Sequence, residues 1–369
     1  MTNFLPYQTI YEAYLWLLAL LLLFFFTFKL YRLAKPQKDR EFERPKKPYE
    51  PRVLVIVPCK GMDITLEANL GSIMGQKYKN FNVVAVVDSI EDPAMEAIKN
   101  VGMNYIVSSR KYPTASGKVR AISTAIRKFG DYEVYVVADS DILAEDYWLS
   151  LLIRPLADLN TGIVTTFPRF EPVGGFWSEV KMVWGFVGQG MMGSNITRFA
   201  WGGSMAFRKD LFDYGPYFKR FCVALSDDIA LTRIAREKEL KIEYVKAAMP
   251  KVNSADGFST FWEWSNRQTA LSILGNRKLF GIGILFYGLQ ALLFISGMAL
   301  GIVTSPIFFV LLLPTFLALA QDIINAGSIT LAVIIASIVM PFIYLTNLMV
   351  GKSMKSISWR GSNYSLFQI

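Results

Sequence analysis

The 369-residue sequence contains no histidine. This absence excludes a Ser-His-Asp triad, a histidine-ligated zinc site and a histidine general base, so any acid–base chemistry must use carboxylates, Lys, Tyr or Cys. Cysteine is nearly absent as well: only Cys59 and Cys222 are present, without paired or metal-type spacing. Their scarcity argues for a reducing compartment and against a disulfide framework.

Charge is also sparse. Asp, Glu, Lys and Arg make up 19% of the chain, whereas hydrophobic residues make up 53% and the mean hydropathy is +0.32. These values are too apolar for an ordinary soluble domain and point to a membrane protein. The net charge of +9 is compatible with nucleic acid, an anionic membrane or phosphorylated substrates, and the position of the charges has to decide among them.

The N-terminal region predicts a membrane anchor over residues 1–31. Residues 13–28 are uncharged and, with their flanks, approach the roughly 20 residues that span a bilayer. Basic residues follow this segment, whereas a signal peptide carries them before it. The order, with the basic residues after the apolar segment, predicts that the N-terminus lies outside the cell and that the chain beyond Lys29 lies in the cytoplasm. The basic, proline-rich residues 32–51 are then a linker at anionic headgroups, and not a nucleic-acid-binding arm.

Strand and helix patterns alternate over residues 52–257. The sequences VLVIVP (53–58), FNVVAVVD (81–88) and YEVYVVADSD (132–141) indicate buried strands, with helical spacing between them. This alternation predicts an α/β fold with a mostly parallel sheet, and ligands in such folds bind beyond the carboxyl ends of the strands. Asp88 and Asp139 stand at two such ends.

The C-terminal part predicts membrane helices. Residues 258–278 form either an amphipathic helix on the membrane surface or a surface helix packed on the catalytic domain. Residues 279–351 can hold three spanning helices, two before Asp322 and one after it. Three crossings would place the basic tail, 352–369, outside, against the positive-inside rule. A re-entrant or interfacial element therefore stays open.

Asp139 and Asp141 carry the strongest local signal for chemistry. Two carboxylates separated by one residue at a strand end can hold Mn²⁺ or Mg²⁺, which keeps water and substrate phosphates as its other ligands. Such a metal neutralises a diphosphate leaving group. The same triplet also occurs in solvated turns, so its weight comes from its position after a strand.

Three further residues are candidates for binding a nucleotide. Lys60 and Asp88 follow strands, and Asp92 lies one turn beyond Asp88, although Asp92-Pro93 is also a natural helix start. Lys118 stands at a helix N-terminus, where it can meet phosphates, although the Walker A pattern around it is incomplete. The acidic and basic groups together predict a site for a nucleotide and its phosphates.

Asp227 and Asp228 open a helix after Ser226. Helix capping explains part of this pattern. Because histidine is absent, Asp228 is the best candidate for the base that deprotonates an acceptor hydroxyl. The aromatic and Met-rich residues 174–201 are expected to meet the acceptor, with Trp184, Gly202 and Asp227 as candidate contacts. The G-x-G-x-x-G pattern at 188–193 follows a complete set of α/β units and is interpreted as coincidence.

An ordered set of short motifs resembles family 2 glycosyltransferases, and among them the ceramide glucosyltransferase-like branch. The motifs are PCKGMD (58–63), VVDSIEDPA (86–94), SGK (116–118), VADSD (137–141), GGSMAFRKD (202–210), SDDIALTRIA (226–235), Arg267 and the tail ISWRGSNY (357–364).

The resemblance implies a nucleotide-diphospho-sugar transferase (GT-A type) fold with inversion at the anomeric carbon. It implies that Asp88 and Asp92 contact the nucleoside, that Asp139 and Asp141 hold the metal–diphosphate, and that Asp228 is the base. The family's last motif is Q/R-x-x-R-W. Arg267 matches its arginine, whereas Trp264 and Gln268 depart from its first and last positions.

The sequence as a whole predicts an integral membrane hexosyltransferase of the cell membrane with a cytoplasmic catalytic domain. It would transfer a sugar, expected to be a UDP-hexose, to the hydroxyl of a lipid in the bilayer, with Mn²⁺ or Mg²⁺ as cofactor and without a nucleic-acid partner. A polyprenyl-phosphate glycosyltransferase, a processive polysaccharide synthase and a non-catalytic transporter or scaffold remain as alternatives.

Overall fold

The structure is a computed structural model that describes residues 5–34, 49–111, 114–195, 197–212 and 215–366. Most of the predicted basic linker, 32–51, lies outside these residues. The described residues fall into two compact units. One is helical and contains the N-terminal helix, residues 175–186 and residues 256–354, whereas the other contains the sheets and the C-terminal tail.

A seven-stranded sheet forms the centre of the sheet unit, with the strand order β3-β2-β1-β4-β8-β6-β9. All neighbouring strands are parallel except β8, which runs antiparallel to β4 and β6. The strands of this sheet are β1 (Val53–Pro58), β2 (Phe81–Val87), β3 (Tyr105–Val107), β4 (Val134–Ala138), β6 (Thr161–Thr165), β8 (Ser204–Arg208) and β9 (Lys241–Tyr244).

Two smaller sheets complete this unit. The strand β5 (Ile142–Leu143) pairs antiparallel with β10 (Lys251–Ser254), which pairs parallel with β7 (Arg169–Pro172). A hairpin near the C-terminus forms from β11 (Ser356–Trp359) and β12 (Ser362–Ser365).

Helices and apolar side chains enclose the central sheet. All of β4 is buried, as is β1 up to Val57, because both faces of a parallel sheet are covered in such folds. The helices of the sheet unit are α2 (Leu66–Met74), α3 (Ala94–Asn100), α4 (Gly117–Lys128), α5 (Trp148–Ile153), α7 (Pro216–Phe221) and α8 (Asp227–Glu237). The predicted α/β class with a mostly parallel sheet is thus observed.

The remaining helices are α1 (Leu5–Ala34), α6 (Phe176–Met192), α9 (Phe258–Gly275), α10 (Lys278–Val303), α11 (Leu313–Ala326) and α12 (Leu331–Ser353). Short 3₁₀ helices cover Arg154–Ala157, Lys209–Leu211, Lys246–Ala248 and Pro306–Leu312. Helix α6 runs from the helical unit into the sheet unit, since the boundary follows Phe186. Its last turns carry the G-x-G-x-x-G pattern, so these glycines do not form a strand-to-helix turn.

Four helical segments are long and apolar enough to cross a membrane: Thr9–Ala34, Lys278–Val303, Pro306–Ala326 and Leu331–Ser353. They fit the predicted anchor and the three expected C-terminal segments. The sequence predicted that Asp322 separates the second from the third of the C-terminal segments. The structure places this boundary after Ala326, because Asp322 lies inside α11. A left-handed Gly327 ends that helix, as is common at helix C-termini.

Aromatic contacts and a buried amide hold the helical unit together. Phe25 of α1 meets Phe286 of α10 edge-on, with ring centroids 5.3 Å apart. Asn347 of α12 is fully buried and donates to Asn266 Oδ1 of α9 at 2.8 Å. It also accepts a hydrogen bond from Trp184 Nε1 of α6 at 3.0 Å. Buried amides of this kind fix helices against each other in apolar surroundings.

Candidate active site

Three strand ends of the central sheet bring the predicted polar residues to one edge. The strands β2, β1 and β4 are parallel neighbours, and they are followed by Asp88, Lys60 and Asp139. Carboxyl ends of adjacent parallel strands lie at the same edge of a sheet, so these side chains share one side of it. The predicted placement of the candidate site at this edge agrees with the topology.

Asp88 lies between two cations. Its Oδ2 is 3.4 Å from Lys60 Nζ, and its Oδ1 is 3.8 Å from an Nη of Arg120 on α4. The side chain is about a third exposed (32%), which leaves it open to a ligand. Arg120 was not singled out by the sequence, although it stands two residues beyond Lys118 at the start of the same helix.

Asp92 holds the loop that follows β1. Its Oδ1 accepts hydrogen bonds from Gly61 N at 2.8 Å and from Ala94 N, the first residue of α3, at 3.0 Å. The second bond is the capping interaction that the sequence allowed for. The first one fixes a glycine with φ of 70°, a conformation that other residues rarely adopt.

Lys118 is the buried centre of the acidic residues. Its Nζ is 2.6 Å from Asp139 Oδ1 and 3.3 Å from Asp227 Oδ2, and its side chain is only 7% exposed. Burial alone would lower the pKa of Lys118, but the carboxylates of Asp139 and Asp227 outweigh it and raise that pKa. The ammonium therefore stays charged, and it links the C-terminal end of β4 to the N-terminus of α8.

Side chains from the loop after β1 and from α2 hold the turn that follows β4. Ser140 Oγ donates to Asp63 Oδ2 at 2.5 Å, and Asn69 Nδ2 of α2 donates to the Ser140 carbonyl oxygen at 3.1 Å. These bonds determine where Asp139 and Asp141 stand. Asp63 is the last residue of the PCKGMD motif, and no local feature of the sequence assigns it this role.

Asp227 and Asp228 stand at the N-terminus of α8, as predicted. Ser226 is the N-cap, and its hydroxyl accepts from Ile229 N and donates to Asp228 Oδ1. Burial, and after it the neighbouring Asp227, raise the pKa of Asp228 to about 7. A carboxylate with a pKa near the working pH is suited to general base catalysis.

Gly202 makes room for this arrangement. A Cβ atom at this position would lie 2.5 Å from Asp227 Oδ2 and 2.9 Å from Lys118 Nζ. A glycine is therefore required where the chain enters β8, because any side chain would displace the buried ion pair. The structure thus brings Gly202, Asp227 and Lys118 together.

The comparisons with known proteins identify the family. The family model of glycosyl transferase family 21 matches residues 14–368. The chain belongs to glycosyl transferase family 21. The predicted resemblance to family 2-type enzymes of the ceramide glucosyltransferase-like branch is confirmed, and so is the class of enzyme, a glycosyltransferase.

Two kinds of solved structure are similar to this family 21 chain. A mannosyltransferase from Pyrobaculum calidifontis, in complex with GDP-Man and Mn²⁺, is 20% identical with a TM-score of 0.49, and the match covers 90% of this chain and 93% of that one. A glucosyl-3-phosphoglycerate synthase from Mycobacterium tuberculosis, in complex with Mn²⁺, UDP and glucosyl-3-phosphoglycerate, is 14% identical with a TM-score of 0.42. That match covers 64% of this chain and 87% of that one.

Two predicted site residues of the glycosyltransferase belong to the helical unit. Trp184 on α6 is buried, and its ring meets Trp264 edge-on with centroids 4.8 Å apart. Arg267 is part of α9. The roles predicted for them at the acceptor and at the diphosphate stay predictions.

The C-terminal tail contributes contacts that the sequence did not assign. Arg360 donates to Asp63 Oδ1 at 2.6 Å and to the Lys60 carbonyl oxygen. Tyr364 Oη accepts a hydrogen bond from Gly117 N at 3.2 Å. The only sequence signal was that ISWRGSNY extended the family resemblance, which gave no indication of where the tail lies.

Proposed function

We propose that this glycosyltransferase transfers a hexose from a nucleotide-sugar, expected to be UDP-linked, to the hydroxyl of a membrane lipid, with inversion at the anomeric carbon. The observation that carries the proposal is the group of carboxylates of Asp139, Asp227 and Asp228 around the buried Lys118 at the ligand-binding edge of the sheet. One ammonium lies among three carboxyl groups there, with Nζ 2.6 Å from Asp139 Oδ1 and 3.3 Å from Asp227 Oδ2.

The donor would be bound by residues that follow β1 and β2 and by residues that follow β4. Asp88, between Lys60 and Arg120, has exposed carboxylate surface for the hydroxyls of a nucleoside. Asp92 would contribute mainly by fixing Gly61 and hence the backbone beside Lys60. Arg267 remains our candidate for a contact with the diphosphate, on the basis of the family motif.

The acidic residues fit a divalent cation that is shared with the substrate. Among the described residues no three His, Cys, Asp or Glu side chains are grouped as a complete metal site. Asp139 and Asp141 would therefore hold Mn²⁺ or Mg²⁺ together with donor phosphates and water, the arrangement that suits these ions. The metal would neutralise charge on the departing diphosphate. Lys118 Nζ, 2.6 Å from Asp139 Oδ1, would hold that carboxylate in position.

Asp228 would act as the base of a direct displacement. Its carboxylate takes the proton of the acceptor hydroxyl while that oxygen forms the bond to the anomeric carbon. The bond between that carbon and the diphosphate oxygen breaks, and the nucleoside diphosphate leaves with the electron pair. The Ser226 hydroxyl, which donates to Oδ1, would orient the carboxylate for this step.

A lipid acceptor accounts best for the apolar segments. Four helical segments are apolar enough to cross a membrane, far more than is needed to anchor a soluble enzyme. The basic residues at the end of α1, Lys29 and Arg32, support a cytoplasmic catalytic part by the positive-inside rule. Trp184, Gly202 and Asp227 are the candidate acceptor contacts.

The experiment that tests this function uses the purified full-length protein with Mn²⁺ or Mg²⁺, a panel of nucleotide-sugars and a total lipid extract, read out by mass spectrometry. We expect one sugar to appear on a lipid hydroxyl, and no product after chelation of the metal. A product formed on polyprenyl phosphate, or an elongating polymer, would replace the proposed acceptor. Absence of any transfer or hydrolysis would contradict the proposal.

A further inference from the structure

The C-terminal hairpin has an unusual residue at its turn. Trp359 pairs with Ser362, so Arg360 and Gly361 form a two-residue loop with φ values of 46° and 75°. Positive φ at both positions defines a type I′ turn, for which Asn-Gly is the favoured pair. A long side chain such as arginine is rare in the left-handed region, and an outlier of this kind is a reason to look for a function.

The guanidinium of Arg360 binds the loop that follows β1. One Nη donates to Asp63 Oδ1 at 2.6 Å, and the other donates to the Lys60 carbonyl oxygen. The second oxygen of Asp63 accepts from Ser140, the residue between Asp139 and Asp141. A single carboxylate thus connects the tail to the middle of the proposed metal–diphosphate turn.

The charge of Arg360 also acts on that turn. Burial is the largest single influence and would lower the pKa of Arg360, but the carboxylates of Asp63, Asp141 and Asp139 together outweigh it. The side chain remains 31% exposed, so the guanidinium can still reach a ligand. It is therefore a cation beside the two predicted metal ligands, supplied from the other end of the chain.

Tyr364 makes the second contact of the hairpin. Its hydroxyl oxygen accepts from Gly117 N at 3.2 Å, and Gly117 is the first residue of α4, directly before Lys118. A Cβ at Gly117 would lie 3.7 Å from Asp88 Oδ2 and 3.8 Å from the Tyr364 hydroxyl, so all three groups meet at one point. The hairpin thus contacts the segments that carry Lys60 and Lys118, and Asp88 lies beside its contact with α4.

We propose that the hairpin of residues 356–365 is a built-in part of the donor site, in which Arg360 and Tyr364 position the β1 loop and the start of α4 for the diphosphate of the nucleotide-sugar. The proposal deepens, and rests on, the function proposed above. Without the guanidinium, Asp63 would place an uncompensated negative charge beside Asp139 and Asp141, and a diphosphate would bind there less well.

The sharpest variant is Arg360→Asn, because it creates the favoured Asn-Gly turn while it removes the guanidinium. We expect an increase of about tenfold or more in the KM for the donor, which corresponds to about 1.4 kcal/mol. The KM for the acceptor should change less than twofold. The Kd of Mn²⁺-loaded UDP or GDP, measured by calorimetry, should rise by the same factor as the donor KM.

Two further variants complete the design. Tyr364→Phe removes only the hydroxyl and should raise the donor KM in the same direction. Asp146→Asn changes an exposed residue outside the hairpin and should leave the kinetics unchanged. If Arg360→Asn leaves donor KM and Kd at wild-type values, or lowers the melting temperature while both KM values move together, the proposal is wrong. If the wild-type protein binds and uses no nucleotide, the proposed function itself falls, and this proposal falls with it.

Discussion

Asp228 is the residue whose protonation state should control the rate. Burial, followed by Asp227, raises its pKa to about 7, so the carboxylate is protonated below neutral pH and available as a base above it. We expect log kcat/KM to rise with a slope near one up to about pH 7 and to level off above it. A flat profile between pH 5 and 8 would contradict this assignment.

Asp228→Asn gives the matching test by mutation. Removal of a general base should lower kcat by roughly 10²–10⁴-fold, with little change in the donor Kd. Asp146→Asn is a suitable control, because Asp146 is an exposed partner of Lys77. Substantial activity of the Asp228 variant would favour an acceptor that is already ionised, such as a polyprenyl phosphate.

A substitution of Gly202 tests the importance of the buried ion pair without removing a charge. In Gly202→Ala the new Cβ would collide with Asp227 and Lys118, so both must shift. Displacements of about 1 Å in an active site can cost about 100-fold in rate, and we expect a loss of that order in kcat/KM. Gly71→Ala is the control, because a Cβ there meets nothing within 4 Å. Wild-type kinetics for Gly202→Ala would show that this close approach is not needed.

At the scale of elements, the loop after β1 depends on Asp92. An asparagine keeps the Oδ1 acceptor for Gly61 and Ala94 but loses the charge, whereas an alanine loses both. If Asp92 acts by holding the loop, Asp92→Asn should keep the donor KM within about twofold, and Asp92→Ala should raise it about fivefold, because loss of such a cap typically costs about 1 kcal/mol. Equal losses in both variants would instead indicate that the charge itself contacts the nucleoside.

The elements that the sequence predicted well are those with local causes. Continuous apolar runs identify β1, β2 and β4, because a strand that is buried on both faces is apolar throughout. Helical spacing identifies α4, because a helix that is buried on one face repeats its apolar residues every three to four positions. The sequence of helix α6 indicates only an aromatic segment, since Gly188 and Gly190 obscure its helical signal. The close packing of Gly188 on the Phe167 ring, which explains one of these glycines, is a tertiary fact.

The contacts that complete the candidate site could not be read from the sequence. The strands β5, β7 and β10 have two to four residues each and form only through pairing across the chain. Arg360 and Asp63 are separated by 297 residues, and no local pattern predicts that they meet. Lys118 was expected at phosphates because of its helix N-terminus, but its burial between Asp139 and Asp227 depends on the packing of three separate elements.

At the scale of the whole molecule, the tail constrains the membrane topology. Arg360 and Tyr364 bind Asp63 and Gly117, so the tail lies on the same side of the membrane as the sheet. We therefore expect residues 278–353 to cross an even number of times, although three of their segments are long and apolar enough to span. That one segment is re-entrant or interfacial, which the basic tail left open, stays a prediction.

The contacts at the start of α12 indicate which segment does not cross. Thr330, its N-cap, hydrogen-bonds Glu179, which follows strand β7 by only seven residues along the chain. Asp322, in the last turns of α11, lies within electrostatic range of Lys29, the first basic residue after the apolar part of α1. These contacts place the turn between α11 and α12 beside the start of α6 and the basic end of α1. We therefore expect Lys278–Val303 and Pro306–Ala326 to cross and α12 to begin and end on the catalytic side.

Single cysteines can test this topology, because the natural Cys59 and Cys222 are both buried. In a background with Cys59→Ala and Cys222→Ala, an impermeant maleimide should label Ser328→Cys and Ser362→Cys from the catalytic face, and Thr304→Cys from the opposite face. All three positions are accessible to a reagent at the protein surface, since Thr304 and Ser328 are exposed and Ser362 is partly so. Labelling of Ser328→Cys together with Thr304→Cys would make α12 a spanning helix, and the segment before it would then be the one that does not cross. Labelling of Ser362→Cys from the opposite face would show that residues 278–353 cross the membrane an odd number of times. It would also separate the hairpin from Asp63 and Gly117, and with them from the donor site.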